Sequence, residues 1–565
     1  MTILIGGLFM KQLKPKLFSV MKSYTKDQFV KDLIAGIIVA IIALPLSIAL
    51  ALASGVSPEQ GLYTAIVAGF LISFLGGSRV QIAGPTAAFA TIVAGIVAKN
   101  GMDGLILATV MAGIILIIMG VCGLGSLIRF IPYTIETGFT LGIAVTLAIG
   151  QVKDFLGLTF KTSPIETLDK VKEIISSMPT INYMALVIGV VSLAILIIWP
   201  KFFQKIPASL VAVIVCAAIV KFGNLEVKTI GDIKQISASL PKFSLPSFDY
   251  KMIKGVFPDA LTIAILAAIE SLLSCVVADG MIGSKHNSNM ELVAQGVGNT
   301  ASALFGGIPA TGAIARTAAN IKNGGRTPIA GMVHAGVLLV ILVKLMPYAA
   351  LIPMPTIAAI LFIVAYNMSG WRHCLDVVRT APKSDIAVFA TTFFLTVAFD
   401  LVVAIGVGLV LACLLFMKRM ADVTQVNSWV YVDEHHKDDF ETQDEEDDPD
   451  YIGFKVVPKK TLVYEITGPI FFGASEEFTN IAFSEKHDVL ILRMRSVPAM
   501  DATGMNALVK LFHKCKKDKV TLLLSHVNEQ PMKAMKKAGF VEMVGEENFL
   551  PNIDAALVRA DQIVK

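Results

Sequence analysis

The sequence predicts a polytopic α-helical membrane protein of about fourteen helices, followed by a small α/β domain. Three observations carry this. Hydrophobic residues make up 55% of the 565 and Asp, Glu, Lys and Arg only 16%, with a mean hydropathy of +0.70, whereas soluble chains average roughly 25% charged residues. The apolar residues gather in long runs, and beyond Lys418 the pattern changes to short strands alternating with helices. Such a composition excludes disordered, collagen-like and disulfide-framework proteins.

The elements follow in order. An apolar run at residues 2–10 has its lysines after it and no small-residue cleavage site, so it does not read as a signal peptide. Residues 1–30 form a basic N-terminal segment in which Lys11, Lys14, Lys16, Lys22 and Lys26 face only Asp27. With Lys31 added, this places the N-terminus on the cytoplasmic side. Residues 33–98 contain two charges, Glu59 and Arg79, and further apolar runs cover 105–128, 206–220, 261–278, 327–343, 345–370 and 386–417. A span takes about 20 helical residues, and Gly and Pro divide several runs into shorter pieces. Counting the breaks as turns gives the fourteen segments of a membrane domain at 31–419.

Loop charge agrees with that count. Each even-numbered exit is short and basic: Arg79, Arg129, Lys201 with Lys205, Lys285, Lys322 with Arg326, Arg372 with Arg379 and Lys383, then Lys418 with Arg419. The long loops around 153–177 and 221–254 mix both signs and fall outside. The expected location is a cytoplasmic membrane, crossed many times, with both termini cytoplasmic.

A linker at 420–455 holds the acidic block, eleven Asp and Glu against one Lys between residues 433 and 450, too charged to bury. Residues 456–565 form the α/β domain: strands at Thr461–Thr467, 489–494 and 520–525, helices at Ala502–Lys517 and 530–538, the last closed by Gly539. The six cysteines are scattered, without ligand spacing, and offer neither a metal site nor a disulfide framework.

Two segments are broken in the same way. Residues 76–89 read GGSRVQIAGPTAAF and residues 306–316 read GGIPATGAIAR. Each runs from Gly-Gly through an irregular stretch with Pro into small residues and a helical pattern, so that a helix would begin inside the membrane at Thr86 and near Gly312. Irregular backbone at membrane depth must be buried in protein or line a cavity. Helix N-termini present unpaired N–H groups and partial positive charge, which suits an anion. Interrupted helices in both halves of a membrane protein point to a transport site. Ordinary turns between two full helices are the plainer alternative.

Few charges remain inside the apolar runs. A carboxylate at Glu270 costs on the order of 2.5–3.5 kcal/mol to insert, which points to function. Ser274 follows at i+4 on the same helical face, so the pair could hold a cation or a transferable proton; alternatively Glu270 accepts hydrogen bonds from broken-helix backbone. Two roles are open to Arg316, a fixed positive charge at the anion site or a partner for Glu270. Glu136 reads as a cytoplasmic helix end, Asp400 as a cap, and His334 as a satisfied packing residue.

The chain resembles the SulP, or sulfate permease, family of anion transporters. The residues that carry this are ALPLSIALALASGVSP at 43–58 with GLY at 61–63, GPT at 84–86, ESLLSCVVAD at 270–279, NSNMELVAQG at 287–296 and PATGAIAR at 309–316. The tail resembles a STAS domain through ITGPIFFG at 466–473 and DATG at 501–504. The resemblance implies seven-plus-seven inverted repeats, a core domain moving against a gate domain, and a homodimer. It places the anion between the third and tenth helices, near Thr86, Ala87, Ala88, Gly312, Ala313 and Arg316.

The first helix is most similar to those of the cyanobacterial sodium-dependent bicarbonate transporters. Glu270 and Ser274 match their sodium-binding Asp and Thr, implying sodium near Glu270, Ser274 and Gly312. Their tenth-helix Thr is Ile314 here, which has no oxygen to give and leaves proton coupling through Glu270 open. Leu46 replaces the Glu or Gln of several relatives. Ala502 replaces the Ser that soluble STAS proteins phosphorylate, although Thr503 remains, and the domain is expected to bind a regulatory protein or ligand.

The expected function is secondary-active transport of a small inorganic oxyanion, sulfate or bicarbonate, coupled to H+ or Na+. A dicarboxylate transporter, an uncoupled exchanger and a channel-like anion protein are the alternatives. No enzymatic activity, cofactor, metal centre or nucleic-acid partner is expected, since no nucleophile–base pair, ligand cluster or phosphate loop is visible.

Overall fold

The computed structural model describes residues 13–126, 132–162, 164, 166–203, 206–233, 239–246, 249–399, 401–429, 456–474 and 487–565. The acidic block, the run at 2–10, Lys11, Arg129, Lys205 and Asp400 lie outside the described residues. Contact density divides the chain into two units, residues 1–410 and 411–565.

The first unit is built from helices. In order they are α1 (Lys26–Ala53), α2 (Pro58–Leu75), strand β1 (Ala83–Gly84), α3 (Ala87–Val121), α4 (Tyr133–Leu156), α5 (Thr167–Ser177), α6 (Tyr183–Phe202) and α7 (Ala208–Phe222). Then come α8 (Tyr250–Ile282), α9 (Ser288–Leu304), strand β2 (Thr311–Gly312), α10 (Ile314–Lys322), α11 (Ile329–Leu345), α12 (Met354–Ser369), α13 (Trp371–Thr380), α14 (Lys383–Ala398) and α15 (Leu401–Val423), which runs into the second unit.

Among the described residues, nine helical stretches are long and apolar enough to cross a membrane by themselves. The expected fourteen segments emerge once α3 is divided at Gly101, whose φ of 66° breaks the helix, and the amphipathic α5 and α13 are set aside. The order then repeats. Third in each half comes a short strand leading into a helix, and α5 and α13 each follow the fifth segment. These are the marks of a seven-plus-seven repeat.

Local chemistry sets the ends. Thr25 caps α1 by accepting from Gln28 N at 3.2 Å, Asn182 caps α6 and Asn287 caps α9. Pro58 occupies the first position of α2 while Gln60 Oε1 accepts from Ser57 N at 2.9 Å. Asp32, fully buried, accepts from Tyr24, Gln28, Arg326 N and Thr327, tying the start of α1 to the turn before α11. Helices α3 and α9 touch backbone to backbone: a Cβ at Gly113 would meet Gly296 O at 2.6 Å, and one at Gly296 would meet Gly113 O at 2.5 Å. Small residues give membrane helices this close approach.

The second unit carries a five-stranded sheet in the order β3 (Gln425–Trp429), β4 (Thr461–Thr467), β5 (Val489–Ser496), β6 (Thr521–Ser525), β7 (Phe549–Leu550), with β3–β4 antiparallel and the rest parallel. Helices α16 (Ala502–Lys517), α17 (Glu529–Lys537) and α18 (Ile553–Val564) complete it. Asp501 caps α16 by accepting from Gly504 N at 2.8 Å, and Gly539 ends the α17 stretch with φ 69°. Strand β3 falls within the stretch expected to be linker. Its pairing with Thr461–Thr467 carries the sheet back to Gln425, on the near side of the acidic block.

Candidate functional site

The two interrupted segments meet. β1 and β2 pair antiparallel, Ala83 opposite Gly312 and Gly84 opposite Thr311, and Ala313 N donates to Ile82 O at 2.9 Å. A ladder this short leaves most of the extended backbone to be satisfied by neighbours. Asn299 donates to Ala310 O and accepts from Ala310 N, at 2.9 and 2.8 Å. Thr64 accepts from Ile308 N, and Ser302 donates to Ile308 O. Ser271 accepts from Gly312 N at 3.0 Å and bonds the Thr311 hydroxyl at 2.7 Å. Thr317 accepts from Ile82 N, and Asn320 donates to Val80 O.

The Gly-Gly turn before β1 is held by one carboxylate. Glu291, fully buried on α9, accepts from Gly77 N and Ser78 N through one oxygen and from Gln81 and Gln295 through the other, at 2.8–3.2 Å. None of this scaffold was singled out from the sequence. A signal was present in the four-residue repeat Glu291, Gln295, Asn299, a polar stripe on a helix inside the membrane domain.

From this scaffold two half-helices start where expected, α3 at Ala87 behind Thr86 and α10 at Ile314 behind Ala313. No side chain caps either one. Ala313 has no hydroxyl to offer. Thr86 has one, and it donates to Glu270 Oε2 at 3.0 Å instead of accepting from the first turn. Both N-termini therefore keep their partial positive charge, and the residues that open them, Ala87, Ala88 and Ala313, carry only methyl groups.

Arg316 lies in the first turn of α10 and is 2% exposed. Its Nη2 donates to Pro85 O, the carbonyl just before Thr86, while Nε and Nη1 have no hydrogen-bond partner. A Cβ at Gly84 would sit 2.5 Å from Nη1, so only glycine leaves room for the guanidinium. Of the two roles open to Arg316, the pairing with Glu270 is not made. The guanidinium stands against β1 at the mouth of α3.

Ser274 shares a helical face with Glu270, and its hydroxyl donates across the interface to Thr317 Oγ1 at 3.4 Å while Glu270 accepts from Thr86. Gly312 gives its N–H to Ser271, and Gln81 packs where a Cβ would be. His334 is buried as expected but unsatisfied, since neither ring nitrogen has a partner. Glu136 lies in the first turn of α4, at a helix end. Among the described residues, no group of three or more His, Cys, Asp or Glu could hold a metal ion.

Comparison with known proteins accords with this architecture. The sequence profile of the sulfate permease family matches residues 29–392, and that of the STAS domain matches 455–556. A Bacillus subtilis protein named "Putative sulfate transporter YvdB" is 38% identical over 94% of this chain and 98% of its own. "Bicarbonate transporter BicA" of Picosynechococcus is 32% identical over 84% of this chain and 85% of its own. The structure of the murine Solute Carrier 26 member A9 anion transporter superposes with a TM-score of 0.87 over 98% of this chain and 95% of that one; at 19% identity the likeness is one of fold. With its paired half-helices, repeated helix order and mixed C-terminal sheet, the chain belongs to the sulfate permease family of membrane transporters and carries a STAS domain.

Proposed function

We propose that the protein carries a small inorganic oxyanion, bicarbonate or sulfate, across the cytoplasmic membrane by alternating access, with Glu270 coupling the movement to a cation. The observation that carries this reading is the uncapped pair of half-helices. Thr86 gives its hydroxyl to Glu270 and leaves the α3 N-terminus uncapped, the β1–β2 pair brings the start of α10 beside it, and Arg316 reaches across to Pro85 O, an arrangement of fixed donors and positive charge that suits an anion. Thr86, Ala87, Ala88, Gly312, Ala313 and Arg316 would form the cradle.

Coupling follows from electrostatics. Two negative charges 6 Å apart repel by about 3 kcal/mol at an effective dielectric of 20, roughly a hundredfold in affinity. An ionised Glu270 beside the cradle therefore opposes the anion, and a cation that neutralises it lets the anion bind. Cation and anion then move together, because each stabilises the state the other needs. The separate engagement of Ser274 and the apolar Ile314 favour a proton over sodium.

Uptake of labelled bicarbonate, sulfate and a dicarboxylate into proteoliposomes, with imposed proton or sodium gradients, tests the proposal. Accumulation of one inorganic oxyanion above its external concentration, driven by the proton gradient, is expected. Dissipative flux alone would instead favour the channel-like alternative, and concentration of the dicarboxylate alone would reassign the substrate.

A further inference from the structure

A polar cavity of about 220 Å³ lies between the α5 stretch and the ends of α1, α4 and α12 nearest it, and reaches α3 at Ala90. Ala90 is one turn into α3 from the uncapped N-terminus, so the cavity adjoins the proposed cradle. Its polar lining comes mainly from Thr146, Gln151, Lys153, Asp154 and Lys170. Thr146 and Gln151 are 9% and 7% exposed.

The Thr146 hydroxyl has no hydrogen-bond partner. That sets it apart from Thr109, Thr137, Thr262, Thr392 and Thr396, each of which donates to the carbonyl one turn back at 2.7–2.9 Å. A buried hydroxyl left open is unfavourable unless something enters to pair with it. Burial also holds the Lys170 ammonium below its usual range, and a counter-anion would relieve that.

We infer that this cavity is an outer anion site, an antechamber in which Lys153, Lys170, Thr146 and Gln151 donate to a small oxyanion and Asp154 selects for one that keeps a proton. The inference rests on the anion-transport reading and narrows its substrate. Hydrogencarbonate has oxygens to accept from the ammonium, hydroxyl and amide groups, and an O–H to donate to Asp154. Sulfate has no proton to give, and its two charges would be repelled by the same carboxylate. The antechamber thus favours hydrogencarbonate before the anion reaches the half-helices, where dipoles alone discriminate weakly.

The test compares uptake of labelled bicarbonate and labelled sulfate by the full-length protein in proteoliposomes, entering from the α5 face. Asp154→Asn should raise the KM for bicarbonate and lower that for sulfate, shifting their ratio about tenfold with kcat little changed. Lys170→Gln should raise both KM values. A thermal midpoint equal to that of the unaltered protein shows that each variant is folded. An unchanged KM ratio in folded Asp154→Asn would overturn the antechamber while leaving the transport reading intact. Should the unaltered protein take up neither anion, the transport reading fails instead. The site is then read directly from 13C-bicarbonate line broadening by the detergent-solubilised protein: loss in Lys153→Gln/Lys170→Gln supports it, and broadening that survives those substitutions refutes it.

Discussion

The hydroxyl of Thr86 has two possible uses, capping its own helix or bonding Glu270, and the structure shows the second. That choice leaves the α3 N-terminus open and gives the carboxylate a partner in the same place. Arg316 is fixed as narrowly, because Gly84 leaves the room its Nη1 fills. Gly84→Ala should push the guanidinium away from β1 and raise the KM for the anion at least tenfold, with the thermal midpoint lowered by only a few degrees. An unchanged KM would show that Arg316 does not shape the site. Residues 84–89 and 309–316 were legible in the sequence because a Gly-Gly-to-Pro interruption has few meanings inside a membrane. The contact of Ser274 with Thr317 was not legible, because i+4 spacing tells which face a side chain shares, not which neighbour lies across from it. His334 was misread for the same reason: hydropathy predicts burial but not the partners available there.

Elements hold the site in position without touching the anion. Glu291 supplies four acceptances to the turn before β1 and to its neighbours. Glu291→Ala would strand those donors at about 1–3 kcal/mol each, so the thermal midpoint should fall clearly and uptake should be lost together with it. Retention of both would mean that the turn is held by other contacts. In the STAS domain, strand β3 covers the outer edge of β4. A fragment of residues 456–565 should expose that edge and self-associate in sedimentation measurements, while one of residues 424–565 should stay monomeric; equal behaviour would make β3 dispensable. Cys515 packs inside the same domain, where burial pushes its thiol up to about 12. Because the thiolate is the reactive form, maleimide at pH 8 should modify the exposed Cys122 and spare Cys515 until the domain is unfolded; fast labelling of native Cys515 would contradict its burial. Strands β4, β5 and β6 and helices α16 and α17 were legible from their periodicity, whereas β7 and α18 were not read from the sequence. Strand β3 was not, since its five residues stand next to the acidic block and their partner lies beyond it.

At the scale of the whole molecule, the scarcity of charge was what made the chain readable. Loop lysines and arginines gave the expected orientation, the change of pattern beyond Lys418 falls close to the boundary between the two units at 410/411, and the few ionisable residues left within the membrane domain marked the candidate site. The repeat is visible in the order of elements, down to an amphipathic helix after the fifth segment of each half, although the halves share little obvious sequence beyond the interrupted segments. What composition could not supply was the scaffold of polar side chains from α8 and α9, because polar residues inside a membrane helix carry no record of the backbone they satisfy. The central claim is that Glu270 links the anion held at two half-helix N-termini to a driving cation. It is tested most directly by comparing Glu270→Gln with the unaltered protein in proteoliposomes, measuring both gradient-driven accumulation and counterflow of the same labelled anion. The account predicts that Glu270→Gln loses accumulation and keeps counterflow; accumulation undiminished in Glu270→Gln would contradict it.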